Sequence, residues 1–278
     1  AEDPTSYNKG KVARYALVKD YHRVMKRRMK ALVRGLEEQL EIPLEAKWYV
    51  DDGPMLDRAA AARSGLGWFG KNTNILSSSH GSWIVLGQVI TNLELEPDPP
   101  LKKTCGTCVR CIDDCPTSAI VAPFVVDNAR CISYQTIENR GVIPLDIRPL
   151  IGDWVFGCDI CQDVCPVNRR AEPPLQPIQK VEAVKPTGKV DLAELLQLTE
   201  EEFLSRFRGT SIMRAKRVGL QKNACVALGN DGDEAGVPAL ISALASTEPL
   251  VRGHAAWALG KIATSDAFSA LELSLIHI

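Results

Sequence analysis

The sequence predicts an α+β protein of several domains, and three observations predict it. Short strand, turn and helix signals alternate through the first hundred residues. Eight of the nine cysteines fall between Cys105 and Cys165, in two runs that each end in Cys-Pro. Further on, "NACVALGN" at Asn223 recurs as "HAAWALGK" at His254, 31 residues later.

The first helix is read from "KDYHRVMKRRMKALVRGLEEQLE". Val24, Met25, Met29, Leu32, Val33, Leu36 and Leu40 recur at helical intervals. Lys26, Arg27, Arg28, Lys30 and Arg34 then point elsewhere, either as a solvated face or as a nucleic-acid contact. "KWYV" reads as a strand, "DDGP" as a turn, and "MLDRAAAARSG" as a helix closed by Gly65. "SWIVLGQVITNLEL" is β-branched and reads as a strand with flanks.

Asp51 and Asp52 follow the "KWYV" strand, a place where functional groups collect. A carboxyl group there either caps the next helix or serves as a general acid. "GLGWFGKN" is Gly-rich but lacks the spacing and hydroxyl of a phosphate-binding loop. Its glycines remain able to let a large cofactor approach the backbone.

"EPDPPLKK" leads into the cysteine region, and "RRAEPPLQPIQKVEAVKP" leads out of it. The first run, "CGTCVRCIDDCP", supplies Cys105, Cys108, Cys111 and Cys115. The second, "CDICQDVCP", supplies Cys158, Cys161 and Cys165, and Cys131 makes up the number. In bacterial ferredoxin-like runs the fourth cysteine serves the other cluster. That rule assigns Cys105, Cys108, Cys111 and Cys165 to one 4Fe–4S cluster, and Cys115, Cys131, Cys158 and Cys161 to a second. Zinc is the competing ligand for Cys-x-x-Cys pairs, but it gives no reason for the third cysteine or for the two Cys-Pro endings. Cys225 stands apart and reads as a small packing residue.

A 278-residue chain with 45% hydrophobic residues needs no disulfide staples. Reduced thiolates imply a reducing compartment, the cytoplasm. No apolar run reaches the roughly 18 residues of a membrane span. Two clusters carry single electrons, and a carrier alone needs only about 60 residues, so the flanking sequence points to an enzyme. Beyond the clusters, "VPAL" at Val237 recurs as "FSAL" at Phe268 with the same 31-residue shift, which predicts HEAT-like helical pairs. No acidic residue lies between Phe203 and Asn230, while Arg206, Arg208, Arg214, Lys216, Arg217 and Lys222 all do. Such a stripe either holds phosphates or is a solvated face.

"VDDGPMLDRAAAARSGLGWFGKNTNIL", "GSWIVLGQVITNLEL", the two cysteine runs, "RCISYQTIE" and "WVFGCDICQDVCPVN" occur here in order. Together they resemble the epoxyqueuosine reductase family of tRNA-modifying enzymes. The resemblance implies three parts: residues 1–98 as part of a cobalamin-binding α/β catalytic domain, 99–178 as a ferredoxin-like two-cluster domain, and 190–278 as HEAT-like repeats. It implies a further N-terminal stretch and a truncated end, so the chain reads as a fragment. It implies reduction of epoxyqueuosine to queuosine in the wobble position of a tRNA anticodon stem-loop, by a monomer fed by an external electron donor. The family's acid falls on Asp51 rather than Asp52. Asp51, Arg58, Lys71, Asn72, Ile75, Ser133 and Gln135 would line the cobalamin site, with Tyr21 and His22 near it. The basic run Arg206–Lys222 would cradle the RNA. The alternatives are a ferredoxin-like electron carrier and a cobalamin-dependent reductive dehalogenase.

Overall fold

A computed structural model describes residues 8–171 and 188–276. The first part holds β1 (Lys9–Val12), α1 (Tyr21–Leu40), β2 (Ala46–Tyr49), α2 (Asp57–Arg63), β3 (Trp68–Phe69), β4 (Ile75–Leu76) and β5 (Gln88–Thr91). The cysteine region holds α3 (Arg110–Asp113), β6 (Ile120–Ala122), β7 (Val125–Val126), α4 (Ile132–Ile137), β8 (Trp154–Phe156) and α5 (Ile160–Asp163). After it come β9 (Lys189–Asp191), α6 (Leu192–Gln197), α7 (Glu200–Phe207), α8 (Lys216–Asp231), α9 (Val237–Leu244), α10 (Pro249–Ile262) and α11 (Ser265–Ile276). Most of the second linker read from the sequence, from residue 172 to 186, lies outside the described residues.

The expected strand pair forms: β2 runs antiparallel to β5, with Trp48 opposite Val89. α1 packs Met25 and Met29 against Gly87, just before β5. Met29 and Val33 are its buried residues, whereas Leu32 and Leu40 stay exposed despite matching the helical period. A short sheet beneath so long a helix covers only a narrow stripe of it.

One sheet joins the three predicted parts. β1 lies between β8, which is parallel to it, and β9, which is antiparallel. Its core continues from Val12 and Ala16 through Val155 and Phe156 into Phe203, Leu228 and Leu259. Residues 9–12, read as the start of the catalytic part, therefore fold against the cluster region and the repeats.

The 31-residue repeat appears as two helix pairs, α8–α9 and α10–α11. The equivalent residues Asn223 and His254 are both 1% exposed. Asn223 Nδ2 donates to the carbonyls of Thr136 at 2.7 Å and Val155 at 2.8 Å. His254 Nε2 accepts from the Ile143 amide at 3.2 Å, so its Nδ1 carries the proton donated to Leu250 O at 2.7 Å. Each repeat thus spends a buried polar side chain on the backbone of the cluster region, since an unpaired buried carbonyl or amide is costly. Cys225, beside Asn223, is fully buried, and burial pushes its thiol up to about 12.

Candidate functional site: two cysteine groups and an acid-bearing pocket

The cysteine runs fold as two similar turns. In the first, the Cys108 amide donates to Cys105 O at 3.1 Å and the Cys115 amide to Ile112 O at 3.3 Å. In the second, the Cys165 amide donates to Gln162 O at 3.1 Å. α3 and α5 pack against each other. Cys165 thereby joins Cys105, Cys108 and Cys111 around a small pocket, also walled by Gly70, Lys71, Asn72 and Arg110. Cys158 has Cys131 and Cys115 as neighbours, and Cys161 has Cys158 and Cys131. The chain segments interlace, so each group draws on cysteines of both runs.

Burial, then the neighbouring thiols, pushes Cys111 up to about 11. Burial pushes Cys158 up to about 12 and Cys161 further still. Groups of thiolates in such surroundings need positive charge among them. Among the described residues, no three His, Cys, Asp or Glu side chains converge as a single ion requires. The arrangement suits a cubane, whose thiolates stand apart around four irons. The Ala119 amide donates to Cys115 Sγ at 3.3 Å, a bond of the type that tunes a cluster's sulfurs.

A second, open pocket is lined by Tyr15, Asp20, Tyr21, His22, Asp51, Ile137, Glu138, Thr210, Ser211, Met213 and Arg214. Tyr21 Oη donates to Asp51 Oδ2 at 3.0 Å. Burial, then the charge of Asp51, pushes the Tyr21 phenol up, so it remains a donor. Its ring stacks on His22 with centroids 4.1 Å apart, and His22 Nδ1 lies 2.7 Å from Asp20 Oδ1. Arg214 Nε pairs with Glu138 Oε1 at 2.5 Å. The Ser211 hydroxyl is buried without a partner in the described structure.

The two aspartates after β2 part company. Asp52 pairs with Lys26 and accepts from the Val50 amide at 2.9 Å, and these bonds hold its carboxyl below the usual carboxylate range. Asp51 instead turns into the pocket from a left-handed backbone position, φ 52°. Neither caps α2, whose N-cap is Leu56 with no side-chain bond.

The other expected cofactor residues spread over adjoining elements. Arg58 Nη1 donates to Thr73 O at 3.0 Å, and Asn72 Nδ2 donates to Cys161 O at 3.2 Å. Lys71 Nζ donates to Gly106 O at 2.8 Å, so Lys71 faces the first cysteine group rather than the Asp51 pocket, while Asn72 stands between the two cysteine groups. Ile75 is buried in β4. Ser133 is half-buried on α4. Gln135 is buried, with its amide bonded to Ala129 O and Asn139 Nδ2.

One sequence expectation needs correction. Lys222 is 1% exposed, and its ammonium donates to the carbonyls of Gln135, Asn139 and Gly141, so it cannot reach a phosphate on the surface. A period-3.6 reading could not tell which face of α8 the cluster region would cover. Two glycines of "GLGWFGKN" are needed by the chain's own packing: a Cβ at Gly67 would meet Leu76 O at 2.5 Å, and one at Gly65 would meet Pro99 O at 2.6 Å; Gly70 lines the first cysteine pocket. Of the remaining basic run, Arg208, Arg214 and Lys216 are exposed. Arg206 pairs with Glu194, and Arg217 with Glu200 and Glu248. The sequence reading missed Tyr15, Glu138, Ser211 and Met213, which reach the pocket from segments far apart in the chain and carry no local motif.

Comparison with known proteins matches residues 104–168 to a 4Fe–4S double cluster binding domain, residues 1–52 to a model described as epoxyqueuosine reductase QueG, and residues 210–276 to HEAT repeats. An epoxyqueuosine reductase of Synechocystis is 44% identical over 77% of this chain and 74% of its own length. One of Xanthomonas campestris is 42% identical over 90% of this chain and 70% of its own. A crystal structure of an epoxyqueuosine reductase with a modified tRNA-Tyr stem loop superposes with a TM-score of 0.91 at 34% identity, covering 100% of this chain and 73% of that one. A Bacillus subtilis epoxyqueuosine reductase, its catalytic aspartate loop swung out of the active site, also gives 0.91 at 33% identity, with the same coverage.

Proposed function

Because this chain belongs to the epoxyqueuosine reductase family, we propose that it reduces epoxyqueuosine to queuosine in the tRNA anticodon wobble position, with cobalamin as the cofactor beside two 4Fe–4S clusters. The reaction takes up two electrons and two protons and releases the epoxide oxygen as water. An external donor supplies the electrons, and the protein acts as a monomer.

Arg58, Lys71, Asn72, Ile75, Ser133 and Gln135, with Asp51, would hold the cobalamin. The Trp68 indole N–H, buried without a partner in the hairpin that carries Ile75, suits an amide carbonyl of a corrin side chain. When bound, cobalamin supplies a cobalt centre able to deliver electrons to a strained epoxide. Asn72 touches Cys161 and Ser133 follows Cys131, so these residues border the second cysteine group.

Asp51 is the proton donor to the departing oxygen. As it gives up that proton, the Tyr21 hydroxyl is already aimed at the carboxylate that forms, an interaction that strengthens along the reaction. Arg208 and Lys216 offer exposed charge to the anticodon stem-loop, with Arg214, paired with Glu138, on the pocket's wall between them in sequence. The observation that carries this reading is the placing of the Asp51–Tyr21 pair. It sits in a pocket whose wall, Ile137 and Glu138, ends the helix that Cys131 begins. Six helical residues span about 9 Å, a short gap for electrons. A pure electron carrier would have no use for such a pocket.

The test is an Asp51→Asn variant reconstituted without oxygen. It should keep about eight irons and the base-off spectrum of added cobalamin, yet lose roughly 10²- to 10⁴-fold in turnover on epoxyqueuosine-tRNA. Full activity would remove the proton-donor role, and a wild-type spectrum unchanged by cobalamin would remove the cofactor.

A further inference from the structure

α1 carries a cationic stripe that the fold does not use. Arg23, Arg27, Lys30 and Arg34 are all exposed. At 100° per residue they fall within about 60° of one another around the axis and extend along about 16 Å of it. The opposite face, Met25, Met29 and Val33, is the one turned to the protein. Among the described residues none of the four makes an ion pair, whereas Lys26 on the flank pairs with Asp52.

Helix stability gives no reason for this charge. No acidic residue occurs from Tyr21 to Gly35, so Arg23, Arg27 and Lys30 have no i,i+4 acid to offset the repulsion, and only Arg34 has one, Glu38. Positive charge near a helix N-terminus also opposes the macrodipole. The stripe starts beside the reaction pocket, because Tyr21 and His22, which line it, open the same helix. The entry to α1 is held by the loop that leads to Arg214: the Asp20 amide donates to Gly209 O at 2.8 Å, and Lys19 bridges Thr210. Exposed cations therefore stand on two segments that reach the pocket: α1, which opens with Tyr21 and His22, and residues 208–216, which supply Ser211 and Arg214 to its lining.

We propose that Arg23, Arg27, Lys30 and Arg34 form a second RNA contact, binding the sugar–phosphate backbone of the substrate tRNA next to the nucleoside held in the pocket. The inference rests on tRNA being the substrate. A row of point charges with no interleaved aromatic side chain reads phosphates rather than bases, so the contact adds affinity without sequence preference.

The experiment replaces all four by Gln in the cluster-loaded protein, exposed positions whose change leaves the core intact. Turnover of epoxyqueuosine-tRNA is measured with a small chemical reductant at several salt concentrations. The variant should show a KM at least ~10-fold higher at low salt, with kcat and iron content unchanged. The slope of log affinity against log salt should be shallower by about 3. Wild-type KM and slope in the variant would overturn the proposal. So would a defect seen only when an acidic protein donor replaces the chemical reductant, which would assign the stripe to that donor. Failure of the wild type itself to turn over the modified tRNA would instead sink the substrate reading, and the stripe's assignment with it.

Discussion

The two cysteine groups are near copies in sequence and unlike in setting. Cys105, Cys108, Cys111 and Cys165 line a cavity that also takes in Lys71 and Arg110. Burial pushes up one thiol of that group, Cys111, but two of the other, Cys158 and Cys161. The second group also owns Cys131, the N-cap of α4, whose far end reaches the Asp51 pocket. On the proposed function, repetition of the motif makes two stations for an electron, and their surroundings would give them an order: the first with cations nearby, the second next to the Asp51 pocket.

That ordering breaks most sharply at Cys131. A Cys131→Ser variant should retain about four of about eight irons and show no turnover with any reductant. Cys105→Ser should lose the same iron yet keep single turnovers when a small diffusible reductant reaches the second group directly. Equal loss in both variants would erase the proposed direction.

The next effect lies where the repeats grip α4. Lys222→Met leaves the Gln135, Asn139 and Gly141 carbonyls without their donor. It should destabilise the protein by about 1–3 kcal/mol in thermal or denaturant unfolding. Unchanged stability would mean that the burial of the ammonium, which lowers Lys222 to about 8, offsets its bonds in full.

Acid should loosen the same junction. Burial chiefly, with Arg148 and Lys222 adding, lowers His254 to about 4 from its ordinary 6.5. Between those values the unfolded chain binds the proton and the folded one does not, so stability falls as pH falls from 6.5 towards 4. By pH 5 the loss from this residue is roughly 2 kcal/mol. Comparison of the unfolding curves of wild type and His254→Gln at pH 7 and 5 checks it, the variant showing the flatter response.

The smallest effect sharpens the inner end. Tyr21→Phe should lower kcat about tenfold, equal to 1.4 kcal/mol, with KM for tRNA unchanged. A rise in KM alone would make Tyr21 a binding residue instead.

The cysteine assignment was legible because a cubane demands a fixed count and spacing of thiolates, and covalent neighbours set that spacing. The repeat was legible because both copies keep the same apolar and small residues 31 positions apart. Lys222 was misread because its type fits several roles, and the role is chosen by what packs on top, here the end of α4. In the pocket, Asp51 was legible from its place after a strand, Arg214 from the basic run, and Tyr21 and His22 through a resemblance. Glu138 and Ser211 look like ordinary surface and loop residues until β1, β8 and β9 join into one sheet.

By itself, then, the sequence determined the two cysteine runs, the helical pairs and the strand that delivers Asp51, since each depends on spacing along a short stretch. Only the tertiary structure decided which aspartate faces the pocket, which lysine is buried, and which cysteine group lies nearer the Asp51 pocket. Those outcomes depend on contacts between residues tens to hundreds of positions apart, and burial and hydrogen-bond partners there are properties of the packed surfaces rather than of any one segment.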